Sequence, residues 1–249
     1  MKITYFFILI LLASCQKEQK KNQIASVNNI ETPEVTTIDT KETEAPALKT
    51  DTILLSKDKN GLVNYVLANL VGQKADKDSI VTSKFRLDFY QNNTKIASSK
   101  ISIKHYEKGS EWSGSLGLTN SSDKDSHFIK IDSGYPACGY TFSNYLFYLK
   151  NNDLQLVHDW ESMSDSGWGV WTEFVNNGSE TGKDSEIFYC KTVAFEPADD
   201  DSEDSGILTY SDSISFSLKG NQWKKQLLSA KDKTYFQKKM SLNEFYKQD

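Results

Sequence analysis

The sequence predicts a mainly β protein, an antiparallel β-sandwich or a partly open barrel, with a short N-terminal helix and a short C-terminal helix in its globular part. Three observations favour this class. Apolar and polar residues alternate over many short segments, Asn and Gly separate those segments, and 38% hydrophobic with 25% charged residues is the composition of a folded protein. The 249 residues suffice for one domain with an appendage.

A helix is predicted at the start of the domain, over residues 61–72. Gly72 provides a stop signal, and the apolar residues have the spacing of one helical face, at Leu62, Val63, Val66, Leu67, Leu70 and Val71.

Strands are predicted after this helix. Phe85, Leu87 and Phe89 alternate with polar residues, as do Ile101 and Ile103. Further strands are predicted near residues 111–118, 126–132, 154–161, 168–175, 186–196 and 207–218.

Turn and capping residues fix several boundaries. Asn-Asn pairs at 92–93 and 151–152 and the Gly-Asn pair at 220–221 stand between apolar segments, where hairpin turns need positive φ angles. The segment SLNE at 241–244 matches a capping box, so we expect a short helix to begin there.

The charge pattern argues against a nucleic-acid partner. The chain has a formal charge of -5, and Arg86 is the one arginine among its 29 basic residues. Arginine is the preferred residue for phosphate and guanine recognition, and the sequence has no dense lysine patch interleaved with aromatic residues.

The N-terminus has the pattern of an export signal. Met1 and Lys2 precede an apolar run over residues 3–14 in which Thr4 and Ser14 are the polar residues. A run of this length makes a helix of about 18 Å, which is short of the roughly 30 Å hydrocarbon core of a bilayer. Residues 1–14 are therefore a predicted signal peptide.

The end of this run, Leu12-Ala13-Ser14-Cys15, resembles the lipobox of bacterial lipoproteins. The resemblance implies that Cys15 is diacylated, becomes the mature N-terminus and holds the protein on a membrane through its lipid. Gln16 after the cysteine implies sorting to the outer membrane of a double-membraned bacterium, and the face of that membrane stays open. A plain secretory signal with an incidental cysteine is the alternative.

The resemblance extends to a tether, residues 15–52, which is rich in Lys, Glu, Thr, Asn and Gln and has no aromatic residue. Such a segment cannot bury enough apolar surface to offset the entropy of ordering. Residues 53–249 are then predicted to form a single β-rich domain.

Two further cysteines, Cys138 and Cys190, make an even pair in an exported protein, so a disulfide between them is predicted. Two unpaired thiols are the alternative. No C-x-x-C spacing indicates a zinc or redox site.

A tryptophan-rich segment is the best candidate for a binding site, because residues 160–171 contain three of the five tryptophans. Indole faces beside hydrogen-bonding groups suit sugar rings or an aromatic partner surface, so Trp160, Asp165, Trp168 and Trp171 are the predicted ligand-binding residues. This interpretation predicts an exposed Trp168. The alternative is that Trp160 and Trp171 belong to the core and that the Gly-Trp-Gly segment is a hairpin turn.

A weaker candidate is a calcium site in an acidic segment. Asp199, Asp201, Glu203 and Asp204 supply hard oxygen ligands, but the segment lacks the glycine and the bidentate glutamate of an EF-hand loop. A solvated acidic loop is the alternative. No other cofactor is indicated.

The sequence gives little sign of catalysis, since it contains no HExxH, no GxSxG and no Gly-rich phosphate loop. His158 is predicted to share one strand face with Leu154, Leu156 and Trp160, as a core histidine rather than a catalytic base. A hydrolase that pairs a histidine with Cys138 is a minor alternative.

We therefore expect a membrane-anchored envelope lipoprotein that acts as a binding or structural module, with a glycan or an envelope protein as partner. A periplasmic inhibitor or immunity-type protein that binds another protein is the alternative.

Overall fold

The computed structural model describes residues 46–58, 61–119, 126–176, 186–198 and 205–247, which contain thirteen strands and one short helix. In chain order these are β1 (Lys49–Leu54), β2 (Tyr65–Ala75), β3 (Val81–Gln91), β4 (Thr94–Lys104), β5 (Glu111–Leu116), β6 (Phe128–Gly134), β7 (Thr141–Lys150), β8 (Asp153–Asp165), β9 (Trp168–Asn176), β10 (Ile187–Pro197), β11 (Ser205–Lys219), β12 (Gln222–Leu227), β13 (Phe236–Ser241) and α1 (Leu242–Phe245).

The strands form two antiparallel sheets. The small sheet has the order β1-β2-β3-β4, and the large sheet has the order β12-β11-β10-β9-β8-β7-β6-β5, with β13 also paired to β11. The predicted fold class, mainly β and antiparallel, is confirmed, and of the two predicted architectures the structure agrees with the sandwich.

The predicted N-terminal helix is wrong, because most of that segment forms β2. Val66, Ala68 and Leu70 are buried with the period of two that a strand requires. The register against β3 shifts between Leu70 and Gly72, which marks a bulge at Val71. Leu67 and Val71 are also apolar but only half-buried, and the bulge lies at Val71. Apolar residues therefore occur in adjacent pairs along the segment, and this spacing resembles that of a helix.

The first strand begins inside the segment predicted as tether. β1 runs from Lys49 and pairs with β2, and its Ile53 is buried opposite Val66. The folded part of the chain therefore starts before the predicted boundary at residue 53.

The predicted hairpin turns are confirmed. Asn92 and Asn93 have φ angles of 46° and 67° between β3 and β4, and Asn151 and Asn152 have 53° and 61° between β7 and β8. Gly220 has a φ of 64° between β11 and β12. These residue types adopt left-handed φ angles at little cost, which suits two-residue turns.

The predicted C-terminal helix is confirmed as α1. Its N-cap is Ser241, whose hydroxyl accepts a hydrogen bond from the Glu244 N–H at 3.1 Å. The side chain thereby satisfies a backbone donor that a helix leaves without an internal partner.

A first hydrophobic cluster lies between the two sheets. It contains buried residues of β2, β3 and β4 from the small sheet together with residues of β6, β7 and β8 from the large sheet. The rings of Phe89 and Phe147 meet across it edge to face, with centroids 5.3 Å apart. This cluster is the core of the sandwich.

A second cluster covers the opposite face of the large sheet. It contains Phe128 of β6, Leu146 of β7, Phe188 of β10, Phe216 of β11 and Trp223 of β12. Strands that are distant in sheet order therefore meet over one face, so the large sheet folds back on itself.

The amide of Gln155 ties β8 to β12 where the sheet folds back. Its nitrogen donates to the carbonyl oxygen of Trp223 at 3.0 Å, and its oxygen accepts from the Trp223 N–H at 2.8 Å. A side chain therefore satisfies the backbone groups that a neighbouring strand would otherwise pair with.

A bulge in β8 changes which cluster the strand faces. The register against β7 shifts between Leu156 and His158. Leu154 and Leu156 contact the first cluster, whereas Val157 and the partly buried Trp160 belong to the second. The prediction that His158 shares a face with Leu154 and Leu156 is therefore wrong, because the bulge separates them.

A polar network crosses the outer face of the small sheet around Asp88, which is 3% exposed. Its carboxylate accepts hydrogen bonds from Asn69 at 2.9 Å, Ser98 at 2.8 Å and Arg86 at 3.0 Å. Thr50 donates to the Asn69 side-chain oxygen at 2.8 Å, so the network joins all strands of this sheet. These hydrogen bonds can form in only one register of the four strands, so they stabilise that register over the alternatives.

Asp88→Ala is expected to lower the free energy of unfolding by about 3 kcal/mol or more, because it removes the buried carboxylate that accepts hydrogen bonds from Asn69, Ser98 and Arg86. Chemical denaturation with urea measures this change.

A matched control is Lys238→Ala, which removes an exposed ion pair with Glu244 (2.7 Å). It should cost less than about 1 kcal/mol. Equal effects of the two substitutions would contradict a stabilising role for the network.

Candidate functional site

The candidate site lies where β8 and β9 separate. Their ladder consists of three pairs next to the hairpin turn, from Asp165↔Trp168 to Met163↔Val170. The turn residues Ser166 and Gly167 have φ angles of 49° and 95°. Beyond these pairs β8 continues beside β7 and β9 beside β10, so the two strands diverge.

The diverging strands open a cleft of about 820 Å³. Ser162, Ser164, Thr172 and Glu173 contribute hydrogen-bonding groups to its lining. Six aromatic side chains from β9, β11 and the C-terminal segment also line it, namely Trp168, Trp171, Phe174, Tyr210, Phe245 and Tyr246.

The indole of Trp168 is held by a third hydrophobic cluster at one side of the cleft. Its ring lies 5.0 Å from that of Phe195, and the backbone of Gly206 lies directly beneath both rings. A Cβ atom at position 206 would collide with them. Trp168 is therefore half-buried, and the expectation of an exposed platform is wrong, because Gly206 allows the ring to pack down onto β11.

The C-terminal helix completes the cleft. Phe245 stacks on Phe195 with ring centroids 4.3 Å apart, and its ring lies 5.8 Å from that of Trp171. The Tyr246 hydroxyl donates to the carbonyl oxygen of Gly167 at 3.2 Å. These contacts fix α1 against the hairpin and place two aromatic rings at the cleft.

Of the four predicted ligand-binding residues, Trp168 and Trp171 line the cleft. Trp160 packs in the second cluster, with its ring 5.1 Å from that of Phe174. Asp165 is exposed at the hairpin turn, where its carboxylate accepts a hydrogen bond from Ser166 at 3.1 Å. Each interpretation of this segment therefore holds in part. The segment forms a hairpin turn, as the alternative predicted, and Trp168 and Trp171 line the cleft while being partly buried.

Sequence reasoning missed Lys130 and Tyr210 as cleft residues. Their strands, β6 and β11, are far from the tryptophan segment in sequence, so no local motif connects them. The capping box was the one available signal for the C-terminal part of the cleft, because it placed a helix just before Tyr246.

The cleft contains a half-buried ammonium group. Lys130 Nζ lies 5.2 Å from the centroid of the Phe174 ring. Burial lowers the pKa of Lys130 below its ordinary value of 10.5. Within the described ranges, Lys130 has no carboxylate at ion-pair distance.

Glu173, the acidic residue of the cleft lining, is already paired. Its carboxylate lies 3.1 Å from Lys191 Nζ, which in turn lies 3.6 Å from the centroid of the Tyr210 ring. Burial alone would lower the pKa of Lys191, but the hydrogen bond and charge of Glu173 raise it above 10.5.

The predicted disulfide is wrong. Cys138 is exposed in the turn between β6 and β7, whereas Cys190 is buried on β10 in the second cluster, and both thiols are free. Burial raises the pKa of Cys190 to about 12, so this thiol is not a nucleophile at neutral pH.

His158 is confirmed as a core histidine. It is 7% exposed, and its ring stacks on Trp160 at 5.5 Å. Its Nδ1 lies 3.2 Å from Lys225 Nζ. Burial and the Lys225 charge lower the pKa of His158 to about 3, so the ring is neutral and accepts from the ammonium. Among the described residues, no hydrogen bond joins His158 to Cys138.

The part of the chain that the structure describes contains no cluster of three or more His, Cys, Asp or Glu side chains suited to a metal ion. The four predicted calcium ligands, Asp199, Asp201, Glu203 and Asp204, lie outside the described residues. No helix within the described ranges has the length and apolar character to cross a membrane.

No protein family matches the chain, and no curated protein or solved structure matches it either.

Acid is expected to destabilise the protein through His158. Because its pKa falls from 6.5 in the unfolded chain to about 3 in the folded one, stability is complete above pH 6.5 and decreases as the pH falls toward 3. His158→Phe keeps an aromatic ring and removes the titration. Between pH 7 and pH 5 the wild type should lose about 2 kcal/mol more than the variant in urea unfolding.

Equal losses of stability in the wild type and His158→Phe over this pH range would show that the imidazole is not the titrating group.

Proposed function

We propose that this protein is a lipid-anchored envelope lipoprotein whose β domain binds a glycan in the cleft between β8 and β9. The lipobox ending at Cys15 supports the anchor, and the cleft supports the binding function. Binding rather than catalysis is favoured because, among the described residues that line the cleft, no nucleophile is paired with a base.

The observation that carries this proposal is the convergence of aromatic rings and hydrogen-bonding groups in one cleft. Trp171 on β9 and Tyr246 after α1 reach it from separate elements, whereas the Tyr210 ring on β11 is already stacked on Phe236 and contacted by Lys191. Sugar rings have apolar faces that stack on indole and phenol rings, and hydroxyls that require donors and acceptors at their edges. Ser162, Thr172 and backbone groups of β9 provide those partners.

The size and shape of the cleft agree with a small ligand. Its volume of about 820 Å³ lies within the range of roughly 300–1,000 Å³ that is typical of ligand sites. The cleft is an open groove between β8 and β9. A short oligosaccharide could lie along this groove with its two ends in solvent.

A protein partner is the second candidate, and a separate observation favours it. Residues 171–176 of β9 pair with β10, while the ladder toward β8 ends at Val170. Residues 171–175 therefore have no strand partner on the β8 side within the described part of the chain, and an extended peptide would bind there by adding a strand.

Loss of a cleft ring should weaken glycan binding. Tyr246 is 55% exposed, so Tyr246→Ala removes stacking area with little loss of core packing. We expect the lipidated protein in detergent to bind its preferred sugar on a glycan array about tenfold more weakly after this change. Trp171→Ala should act in the same direction.

Tyr65→Ala is the matched control, because Tyr65 stacks on Tyr90 in the small sheet and does not line the cleft. The affinity of the Tyr65→Ala variant for the glycan should equal that of the wild type. Absence of glycan binding by the wild type, or unchanged affinity in both cleft variants, would contradict the proposal. Binding of a peptide partner instead would favour the second candidate.

The anchor has its own test. Cys15→Ser removes the residue that the lipobox resemblance assigns to diacylation. Cells fed labelled palmitate should incorporate the label into the wild type and not into the variant, and the variant should leave the outer-membrane fraction. Ser14→Gly, which keeps a small residue before the cysteine, should retain both properties. A membrane-bound Cys15→Ser protein would contradict the lipid anchor.

A further inference from the structure

We infer that the ligand of this cleft is acidic and that the ammonium of Lys130 binds its carboxylate. This inference rests on the proposed function and narrows it to one chemical class, a glycan that contains a uronic acid.

The position of Lys130 on β6 directs its side chain to the cleft. Its chain neighbours Ile129 and Ile131 are buried in the first cluster, between the sheets. Because side chains alternate along a strand, Lys130 points to the opposite face. There it lines the cleft, with its ammonium beside the Phe174 ring. The charge therefore lies at the lining of the cleft.

The charge of Lys130 has no counter-ion among the described residues, in contrast to other partly buried cations. Arg86 pairs with Asp88 at 3.0 Å, and Lys191 pairs with Glu173 at 3.1 Å. Desolvating an ammonium without an anionic partner is unfavourable, which is why such groups are normally paired. The Phe174 ring stabilises the charge in part, through a cation–π contact.

The nearby carboxylates are already engaged. Glu173 is held by Lys191, and Asp132, two residues along β6, accepts a hydrogen bond from Ser113 at 2.7 Å. Burial lowers the pKa of Lys130, and an anionic ligand would reverse this effect by favouring the charged form. An acidic ligand would therefore provide the counter-ion that Lys130 does not have among the described residues.

The arrangement also explains how an acidic sugar would be distinguished from a neutral one. The rings of Trp171 and Tyr246 offer stacking surfaces that any pyranose can use. A sugar carboxylate can form an ion pair with Lys130 as well as a hydrogen bond, whereas the hydroxymethyl group of a neutral hexose offers an uncharged acceptor. Stacking then gives affinity, and Lys130 gives selectivity.

Two matched probes and two variants test this inference on the full-length lipidated protein. The probes are trigalacturonate and its methyl ester, which share the same rings and differ in charge. Lys130→Met keeps the unbranched apolar stem and removes the ammonium, while Lys100→Met removes an exposed lysine of the small sheet and so matches the change in net charge. Calorimetry gives each dissociation constant.

The wild type and Lys100→Met should bind trigalacturonate about tenfold more tightly than the ester. Lys130→Met should bind both probes with equal affinity, close to that of the ester for the wild type. Trigalacturonate should also protect Lys130 of the wild type from reductive methylation, as read by mass spectrometry, whereas the ester should not.

Equal affinity of the wild type for the acid and the ester would overturn the acidic-ligand inference and leave glycan binding in place. A retained preference for the acid in Lys130→Met would likewise overturn the role of this lysine. Failure of the wild type to bind either probe, together with no binding to neutral glycans, would overturn the proposed function itself.

Discussion

The architecture depends on one constraint, the need to bury both faces of β7. Tyr145, Phe147 and Leu149 lie in the first cluster, and the alternating Leu146 and Tyr148 lie in the second. The small sheet can cover one of these faces. The other has to be covered by the large sheet folding back, which brings β10, β11 and β12 over it. That fold is incompatible with a continuous ladder between β8 and β9, so the two strands part and the cleft forms where they do.

Polar side chains stabilise the places where regular pairing fails. The Gln155 amide replaces strand pairing where β12 approaches β8, and the neutral ring of His158 accepts a hydrogen bond from Lys225 nearby. In the small sheet, the network at Asp88 holds the register of strands that have solvent on their outer face. Hydrophobic burial therefore selects the sandwich, and a few satisfied polar groups select one alignment of its strands.

Local signals in the sequence were sufficient for the turns and the last helix, because Asn pairs, a Gly-Asn pair and a serine cap act within a few residues. The N-terminal helix was wrong since a bulge at Val71 and two partly buried faces imitate helical spacing. The predicted disulfide was wrong because an even number of cysteines does not show where each one lies. Cys190 is buried in the core, whereas Cys138 is exposed. The cleft could be predicted in part, through Trp168 and Trp171. Lys130 and Tyr210 could not, because the fold-back brings their strands together and no short segment encodes it.

The glycine at position 206 leaves room for the Trp168 ring to pack against β11. The Trp168 ring and the Phe195 ring occupy the space that a side chain on β11 would fill, so the indole rests against bare backbone. A single methyl group there would collide with both rings, so the indole of Trp168, which lines the cleft, would have to move. Among variants of this chain that keep the same fold, a change at this one position would therefore alter the lining of the cleft while every side chain in that lining keeps its identity.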